Sequence, residues 1–373
     1  MPAAPPSFDI FCRVVDNYGD IGVCWRLARQ LASLNAPAPV RLWVDDIQAF
    51  ARIEPAVDAG QGMQAARGVE IIHWSHDLPE LAPHDVVIEA FACELPPNFV
   101  SRMADRDSLC INLEYLSAEK WVESCHAMPS LQANGLRKCF YFPGFTPATG
   151  GLLREPGLLE TRDAWLSRPG ERWRLLQTLG MPDSWIKGLQ SGWRQAYLFC
   201  YRNAPAEALV QALNSGAEPS VLIVPEGVYP SLADLAASHV HVFEAPFVSQ
   251  EDFDRLLWSS DLNFVRGEDS LARAIWAGKP FVWQIYQQED AAHLEKLRAW
   301  LDLAPFGRQV EPLTLAWNTG NAADAGTALQ ALLARDAQDA WRRQTRQWCD
   351  ELAARTGLAE SLVGFCAKNR GKE

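Results

Sequence analysis

The sequence lacks any run of about 18 uninterrupted apolar residues, the length that a membrane-spanning helix needs. Its first residues, MPAAPPSFDI, also lack the basic and apolar regions of a signal peptide. We therefore expect a cytoplasmic protein with no membrane partner. A chain of 373 residues is long enough for two domains of ordinary size, each with its own hydrophobic core.

Basic residues are in the minority, because 34 Lys and Arg stand against 46 Asp and Glu and give a formal net charge of -12. The phosphate backbone of a nucleic acid demands a concentrated basic surface, so no nucleic-acid partner is expected. The nine cysteines lie scattered from Cys12 to Cys366 and include no CxxC pair. This arrangement is typical of reduced, mostly buried thiols.

Several familiar catalytic motifs are missing. The absence of Walker A, HExxH and Gly-x-Ser-x-Gly motifs excludes the usual P-loop enzymes, zincins and α/β-hydrolases. His73 and His76 have no Cys or carboxylate partners at metal-ligand spacing, and we interpret them as structural. The same holds for His239 and His241. GQGMQA, which starts at Gly60, has the spacing of a dinucleotide fingerprint, but it precedes a strand instead of following one and is interpreted as a chance match.

Two series of strand-like apolar stretches alternate with helical patterns. The first half contains FDIFCRVV, VRLWVD, VEIIHW, DVVIEAF and LCINLEYL. The second half contains AYLFCY, SVLIVPE, HVHVFEA, DLNFVRG and PFVWQIY. Near-continuous apolar strands between helices predict parallel sheets covered on both faces, so the fold class is α/β with two Rossmann-like domains. A linker and helices are expected at about residues 150 to 195, and a helical tail from about Asp336 to Asn369.

The stretch DNYGDIGVCWRLARQ joins the first strand to a helix that is expected from about Ile21 to Leu34. Open parallel sheets bind ligands at the carboxyl ends of their strands, where a helix N-terminus offers free N–H groups and a positive partial charge. Asp20 is therefore a candidate ligand-binding residue. Taken alone, it fits better as a helix cap that accepts a backbone N–H.

The second half repeats this arrangement, since DLNFVR leads into GEDS and then into the helix LARAIWAG, with Gly278 expected at the C-cap. Arg266 offers a fixed positive charge, and Ser270 with the following N–H groups could hold a diphosphate. The structural alternatives are an N-cap at Asp269 or Ser270 and a local ion pair between Arg266 and Glu268.

Two Rossmann-like domains that face one another open both loops into the same cleft, so we expect Asp20 and the loop 266–270 to meet at one ligand. Such a cleft suits transfer from a nucleotide-activated donor. Tyr201 ends the strand AYLFCY, and Phe247 and Gln250 lie in the loop before a helix. Phe247 and Gln250 could hold a nucleobase by stacking and hydrogen bonding, although both are ordinary loop residues as well.

The stretches DNYGDIGVCWRLARQLA and RGEDSLARAIWAGKPFVWQIYQQEDAAHLEKL resemble the bacterial protein-arginine rhamnosyltransferases that modify elongation factor P. The likeness runs the length of the chain. It implies a GT-B fold, in which two Rossmann-like domains face each other across a cleft and a C-terminal helix crosses back to the N-terminal domain. The implied domains are residues 1–152, on the acceptor side and with a C-terminal helix at about 348–373, and residues 153–347, which bind the nucleotide sugar.

The reaction implied by the resemblance is an inverting transfer of L-rhamnose from dTDP-β-L-rhamnose to an arginine of elongation factor P, which activates that factor. No metal and no cofactor are implied. By position, the resemblance implies Asp20 as the catalytic base, Glu268 as a second essential carboxylate and Asp16 as the other Asp of the first loop. The implied donor-binding residues are Asn17, Tyr18, Gly19, Asp20, Tyr201, Phe247, Gln250, Arg266, Gly267, Glu268, Asp269 and Ser270.

Two other functions remain open from the residues alone. A GT-B relative that rearranges or hydrolyses a sugar nucleotide, such as a 2-epimerase, would use the same carboxylates and need no protein acceptor. A non-catalytic regulator would bind the nucleotide without turnover, and the carboxylates of Asp20 and Glu268 argue against it.

Overall fold

The computed structural model describes residues 5–15, 18–34, 36–75, 79–229, 231–235, 239–288 and 291–369. Asp16, Asn17 and His76 lie outside the described residues. The chain divides into two compact units, of which unit 1 comprises Met1–Pro156 with Ala353–Glu373 and unit 2 comprises Gly157–Leu352. Within the described ranges, no helix combines the length and the apolar character that crossing a membrane requires.

Unit 1 is built on an eight-stranded sheet with the order β3-β4-β2-β1-β5-β6-β8-β7. Its strands are β1 (Phe8–Cys12), β2 (Val40–Val44), β3 (Met63–Ala66), β4 (Val69–His73), β5 (Val86–Ala90), β6 (Leu109–Leu113), β7 (Pro129–Leu131) and β8 (Arg137–Tyr141). The helices along this stretch are α1 (Gly19–Leu34), α2 (Ile47–Ile53), α3 (Pro97–Asp105) and α4 (Trp121–Cys125). The six inner strands are parallel, and β3 and β7 close the two edges in antiparallel pairs.

Both faces of this sheet are covered, as its near-continuous apolar strands predict. One face packs against α1 through a large core that includes Ile10, Trp25 and Leu31. The other face packs against α3, where Phe11 stacks on Trp43 with ring centroids 4.9 Å apart and meets Phe99 edge-on. Because β1, β5 and β6 are adjacent and parallel, their carboxyl ends are neighbours at one rim of the sheet.

Unit 2 begins with three helices, which are α5 (Leu158–Leu166), α6 (Pro169–Thr178) and α7 (Asp183–Gln190). Its five strands are all parallel, in the order β11-β10-β9-β12-β13, and are β9 (Arg194–Phe199), β10 (Ser220–Pro225), β11 (Val240–Ala245), β12 (Leu262–Arg266) and β13 (Phe281–Gln284). The remaining helices are α8 (Ala206–Asn214), α9 (Leu232–Leu235), α10 (Gln250–Ser259), α11 (Gly267–Ala277), α12 (Ala292–Leu303), α13 (Gly307–Thr319), α14 (Ala322–Leu333) and α15 (Arg335–Ala353).

The last helix, α16 (Leu358–Asn369), belongs to unit 1 and packs against α1. Leu358, Leu362 and Cys366 are buried in the core on that face of the sheet. The chain thus returns to its N-terminal unit after Leu352, near the end of α15. This confirms the crossing C-terminal helix that the resemblance implies.

The ten strands predicted from the sequence are all present, and Gly278 forms the C-cap of α11 with a left-handed φ of 64°. The three short strands β3, β7 and β8 were not predicted. GQGMQA leads into β3, which pairs with β4 in an antiparallel hairpin, so it is not a dinucleotide-binding turn. The nine cysteines are free thiols, as predicted, and seven of them are buried.

Candidate active site

The first predicted loop connects β1 to α1 at the carboxyl edge of the unit 1 sheet. Tyr18, Gly19 and Asp20 are described, whereas Asp16 and Asn17 are outside the described residues. Helix α1 begins at Gly19, earlier than the expected start at Ile21, so Asp20 lies inside its first turn. The positive end of the helix dipole therefore lies beside this carboxylate.

Asp20 is almost completely buried, with 3% of its surface exposed. Its Oδ2 accepts a hydrogen bond of 2.8 Å from the backbone N–H of Val15, and its Oδ1 accepts a longer one of 3.4 Å from the Tyr115 hydroxyl. Val15 precedes the helix, so the first bond is not the N-cap bond of the structural alternative. Two segments of unit 1 hold the two oxygens in place, which gives the carboxylate the fixed orientation that a general base needs.

Tyr18 is also tied to its surroundings. Its hydroxyl accepts a hydrogen bond of 2.8 Å from Arg52 Nη1 at α2, and this bond raises the pKa of Arg52. Its carbonyl accepts the N–H of Gly22 at 2.9 Å, which closes the first turn of α1. Both the side chain and the backbone of Tyr18, in the part of the loop that the structure describes, are therefore held by hydrogen bonds.

The second predicted loop is the abrupt junction between β12 and α11 in unit 2. Gly267 follows Arg266 directly and adopts a φ of 63°, a conformation that strains any residue with a Cβ. This turn allows α11 to begin at Gly267. Asp269 and Ser270 therefore lie inside the first turn, and the predicted N-cap at either residue is wrong.

Arg266 is held by aromatic rings. Its guanidinium lies over Phe199, 5.0 Å from the ring centroid, and over Tyr201, 4.8 Å from the ring centroid. In the part of the chain that the structure describes, Arg266 forms no ion pair, so the predicted pair with Glu268 is wrong. A cation that is oriented by aromatic faces and not neutralised by a carboxylate is suited to an anionic ligand.

Glu268 is instead paired with a residue that the sequence did not reveal. Lys296 Nζ, on α12, lies 2.5 Å from Glu268 Oε1, and about one fifth of each side chain is exposed, 21% for Lys296 and 19% for Glu268. Such a partly buried, charge-assisted hydrogen bond is stronger than an ordinary surface ion pair. It fixes the position of the carboxylate in the first turn of α11.

Tyr201 lies beside Arg266 because β9 and β12 are neighbours in the sheet. The strand β9 ends at Phe199, and the N–H of Tyr201 donates to Gln284 Oε1 at 2.8 Å. The carbonyl of Tyr201 accepts the Tyr229 hydroxyl at 2.9 Å. These bonds fix the backbone of Tyr201 and leave its ring facing the guanidinium of Arg266.

Comparison with known proteins identifies the family. The family model described as Elongation-Factor P (EF-P) rhamnosyltransferase EarP matches residues 8–367. The chain belongs to the EarP family of arginine rhamnosyltransferases. A protein-arginine rhamnosyltransferase of Pseudomonas aeruginosa is 48% identical over 97% of this chain and 99% of its own length. The predicted family is therefore confirmed.

Solved structures agree with this membership. A structure that gives the basis for EarP-mediated arginine glycosylation of translation elongation factor EF-P matches 98% of this chain and 99% of its own, with a TM-score of 0.64 and 33% identity. A kitacinnamycin glycotransferase matches the same share of this chain with a TM-score of 0.52 and 13% identity, which concerns the fold alone. The two Rossmann-like units of this EarP-family chain thus have the predicted α/β GT-B architecture.

Phe247 and Gln250 follow β11, which is separated from β9 by β10. Phe247 is 55% exposed. Gln250 is the first residue of α10, whose N-cap is Ser249, and not a loop residue as the sequence predicted. The nucleobase role of both residues stays a prediction.

Among the described residues, no three His, Cys, Asp or Glu side chains gather into a group that could hold a metal ion. His241 lies between two tryptophan rings, stacked on Trp185 at 5.0 Å and on Trp193 at 4.9 Å. This packing accounts for His241 without a ligand. The predicted absence of a metal from the reaction stays a prediction.

Proposed function

We propose that this chain transfers L-rhamnose from dTDP-β-L-rhamnose to an arginine side chain of translation elongation factor P, with inversion at the anomeric carbon and without a metal ion or cofactor. Membership of the EarP family supports this function. In the proposal unit 2 binds the donor and unit 1 supplies the base. Because the acceptor is a translation factor, we place the reaction in the cytoplasm.

The observation that carries the donor assignment is the Arg266 side chain, a cation held on two aromatic rings at the start of α11. We assign it to the diphosphate of dTDP. Negative charge grows on this leaving group as the glycosidic bond breaks, and a preoriented guanidinium stabilises it in the role that a metal ion fills elsewhere. The N–H groups near Ser270 add to this stabilisation.

The thymine is assigned to the loop after β11. The exposed ring of Phe247 supports stacking on the base, and Gln250 and Tyr201 complete this part of the donor site. Glu268, which shares the first turn of α11 with the diphosphate-binding groups, is assigned to the hydroxyls of the sugar. Its ion pair with Lys296 holds it in place.

The acceptor assignment depends on Asp20. A guanidinium is a poor nucleophile, because it is protonated at neutral pH and its lone pairs are delocalised. In the proposed step, a guanidinium nitrogen forms a bond to the anomeric carbon from the face opposite dTDP and the bond from that carbon to the diphosphate oxygen breaks. The proton released from the nitrogen passes to Asp20, and the β-linked donor gives an α-linked product.

The test is to incubate the protein with dTDP-β-L-rhamnose in the presence of EDTA, with and without elongation factor P, and to follow dTDP by chromatography. We expect dTDP to appear only when the acceptor is present, and NMR of the product to show an α-linked sugar. Release of dTDP or a new sugar nucleotide without acceptor would instead indicate a hydrolase or an epimerase. Loss of transfer in EDTA would contradict the metal-free step.

A further inference from the structure

Tyr115 lies at the same rim of the unit 1 sheet as Asp20. It follows β6 by two positions, and β6 is separated from β1 only by β5. The segments after these three neighbouring strands carry Asp20, Phe91 and Tyr115. Because the strands are parallel, all three segments emerge at their carboxyl ends, where open α/β sheets bind ligands.

The hydroxyl of Tyr115 is directed at the carboxylate. It donates to Asp20 Oδ1 over 3.4 Å, while the N–H of Val15 occupies Oδ2. Hydrogen bonds of catalytic groups are often long before substrate binds and shorten in the reacting complex. Tyr115 therefore restrains the one oxygen of Asp20 that the backbone of Val15 does not.

The ring of Tyr115 packs against a second aromatic ring, that of Phe91. It stacks on Phe91 with centroids 4.4 Å apart and an interplanar angle of 14°, and 41% of Tyr115 is nevertheless exposed. Two aromatic rings in parallel contact form a flat, rigid surface next to a buried carboxylate. A planar cation is the natural ligand of such a surface, because a guanidinium stacks on aromatic faces and an ammonium does not match their shape.

The turn that supplies Phe91 is strained. Phe91, Ala92 and Glu94 have φ values of 55°, 52° and 55°, in the left-handed region that residues with a Cβ seldom adopt. Hydrogen bonds hold the turn, among them Phe91 N–H to the Leu113 carbonyl at 2.7 Å and Glu94 N–H to Glu89 Oε1 at 3.1 Å. Strain of this kind persists where the surroundings enforce it and is concentrated at functional sites.

We propose that Tyr115 is a positioning and specificity residue for the acceptor: its hydroxyl orients Asp20, and its ring, backed by Phe91, stacks on the guanidinium of the acceptor arginine. This inference rests on the proposed function. It explains how one carboxylate selects arginine over lysine, since the planar group is held by its face while a nitrogen at its edge points to Asp20.

Two substitutions separate the two roles. Tyr115→Phe keeps the ring and removes the hydroxyl, so we expect kcat to fall about 10-fold, the effect of losing one hydrogen bond to a charged group, with little change in KM for elongation factor P. Tyr115→Leu also removes the stacking surface, so KM for the acceptor should rise about 10-fold in addition. KM for the donor should stay as in the wild type in both variants.

The pH dependence of the rate is a further measurement, and a purely structural role of Tyr115 would leave it unchanged. Loss of a donor to the charged form of Asp20 should move the acid limb of the rate profile of Tyr115→Phe to higher pH. Among the described residues, the Cys12 thiol of β1 also lies close enough to Asp20 for their charges to interact. Burial raises the pKa of Cys12 well above its ordinary range, and Cys24 and Asp20 add to this shift. Titration of Cys12 therefore does not contribute to the acid limb of the rate profile.

Tyr141→Phe is the matched control, because it removes a hydroxyl of the same unit that is hydrogen-bonded to Ser361 at 2.7 Å. It should keep wild-type kinetics and pH profile. If wild type transfers rhamnose and Tyr115→Phe retains its kcat and pH profile, the positioning role is overturned. If Tyr115→Leu, folded by circular dichroism, retains its acceptor KM, the stacking role is overturned. A wild-type protein that transfers no rhamnose to elongation factor P overturns the proposed function and this inference with it.

Discussion

Lys296 Nζ and Glu268 Oε1 lie 2.5 Å apart and join α12 to the first turn of α11. Replacing Lys296 by Met keeps most of the length of the side chain but removes the charge that orients Glu268. We expect kcat for rhamnose transfer to fall about 10- to 100-fold, because a charge-assisted hydrogen bond of this kind is worth about 1.5–3 kcal/mol. Steady-state kinetics of Lys296→Met measure this, with the exposed lysine of α7, Lys187, changed to Met as the control.

A double-mutant cycle distinguishes this pair from two independent sites. Glu268→Gln is expected to lower kcat strongly, and adding Lys296→Met to it should have little further effect, since the lysine then has no carboxylate to orient. Fully additive losses in the double variant would show that the two residues act separately.

Asp20→Asn keeps the shape of the side chain and removes the base. We expect transfer to fall about 10²-fold or more, while the affinity for dTDP changes little. Kinetics and calorimetry measure the two quantities side by side. Asp58, an exposed aspartate that accepts the N–H of Gly60, provides the Asp→Asn control and should keep full activity. Turnover at the wild-type rate in Asp20→Asn would rule out the base role.

Arg266→Ala should weaken dTDP binding about 10-fold or more and lower kcat as well, because the diphosphate loses its counter-charge in both the bound and the reacting state. Arg266→Lys keeps a charge but loses the planar contacts with Phe199 and Tyr201, so we expect only part of the affinity to return. The control is Arg255→Ala, which breaks a partly exposed pair with Asp252. Unchanged dTDP affinity in Arg266→Ala by calorimetry would refute the diphosphate assignment.

Gly151 lies in close contact with the C-terminal segment of unit 1. Its φ is 82°, and the carbonyl oxygen of Thr356 occupies the place of a Cβ. Gly151→Ala should therefore destabilise unit 1 by about 3 kcal/mol or more, from backbone strain and the clash together. Gly157 has a similar φ of 74° but open space around it. Gly157→Ala should therefore cost only the backbone strain of about 1–2 kcal/mol. Equal thermal midpoints for the two variants would contradict this packing.

The fold was largely predictable because its determinants are local. Buried parallel strands are apolar along their whole length, and the C-cap of α11 requires a residue such as Gly278 that tolerates a positive φ. The short strands β3 and β7 escaped detection because they pair at sheet edges and are only partly buried. The start of α11 was misplaced because the turn at Gly267 is set by one backbone conformation that the sequence does not specify.

The site was predictable only in part, because some of its contacts link distant segments. The loops around Asp20 and Arg266 were predictable, because in each case a strand is followed by Gly and acidic residues. Lys296 is 28 positions from Glu268, and Tyr115 is 95 positions from Asp20. Each pairing depends on where α12 or β6 packs in the folded unit, and nothing in the local sequence marks either partner.

The function that we propose for this chain is the attachment of rhamnose to an arginine of elongation factor P. The most direct measurement is mass spectrometry of intact and fragmented elongation factor P after incubation with the protein and dTDP-β-L-rhamnose. We expect a mass gain of one deoxyhexose, located on a single arginine, with the wild-type protein and none or nearly none with Asp20→Asn. An unmodified factor, or a sugar on a residue other than arginine, would contradict it.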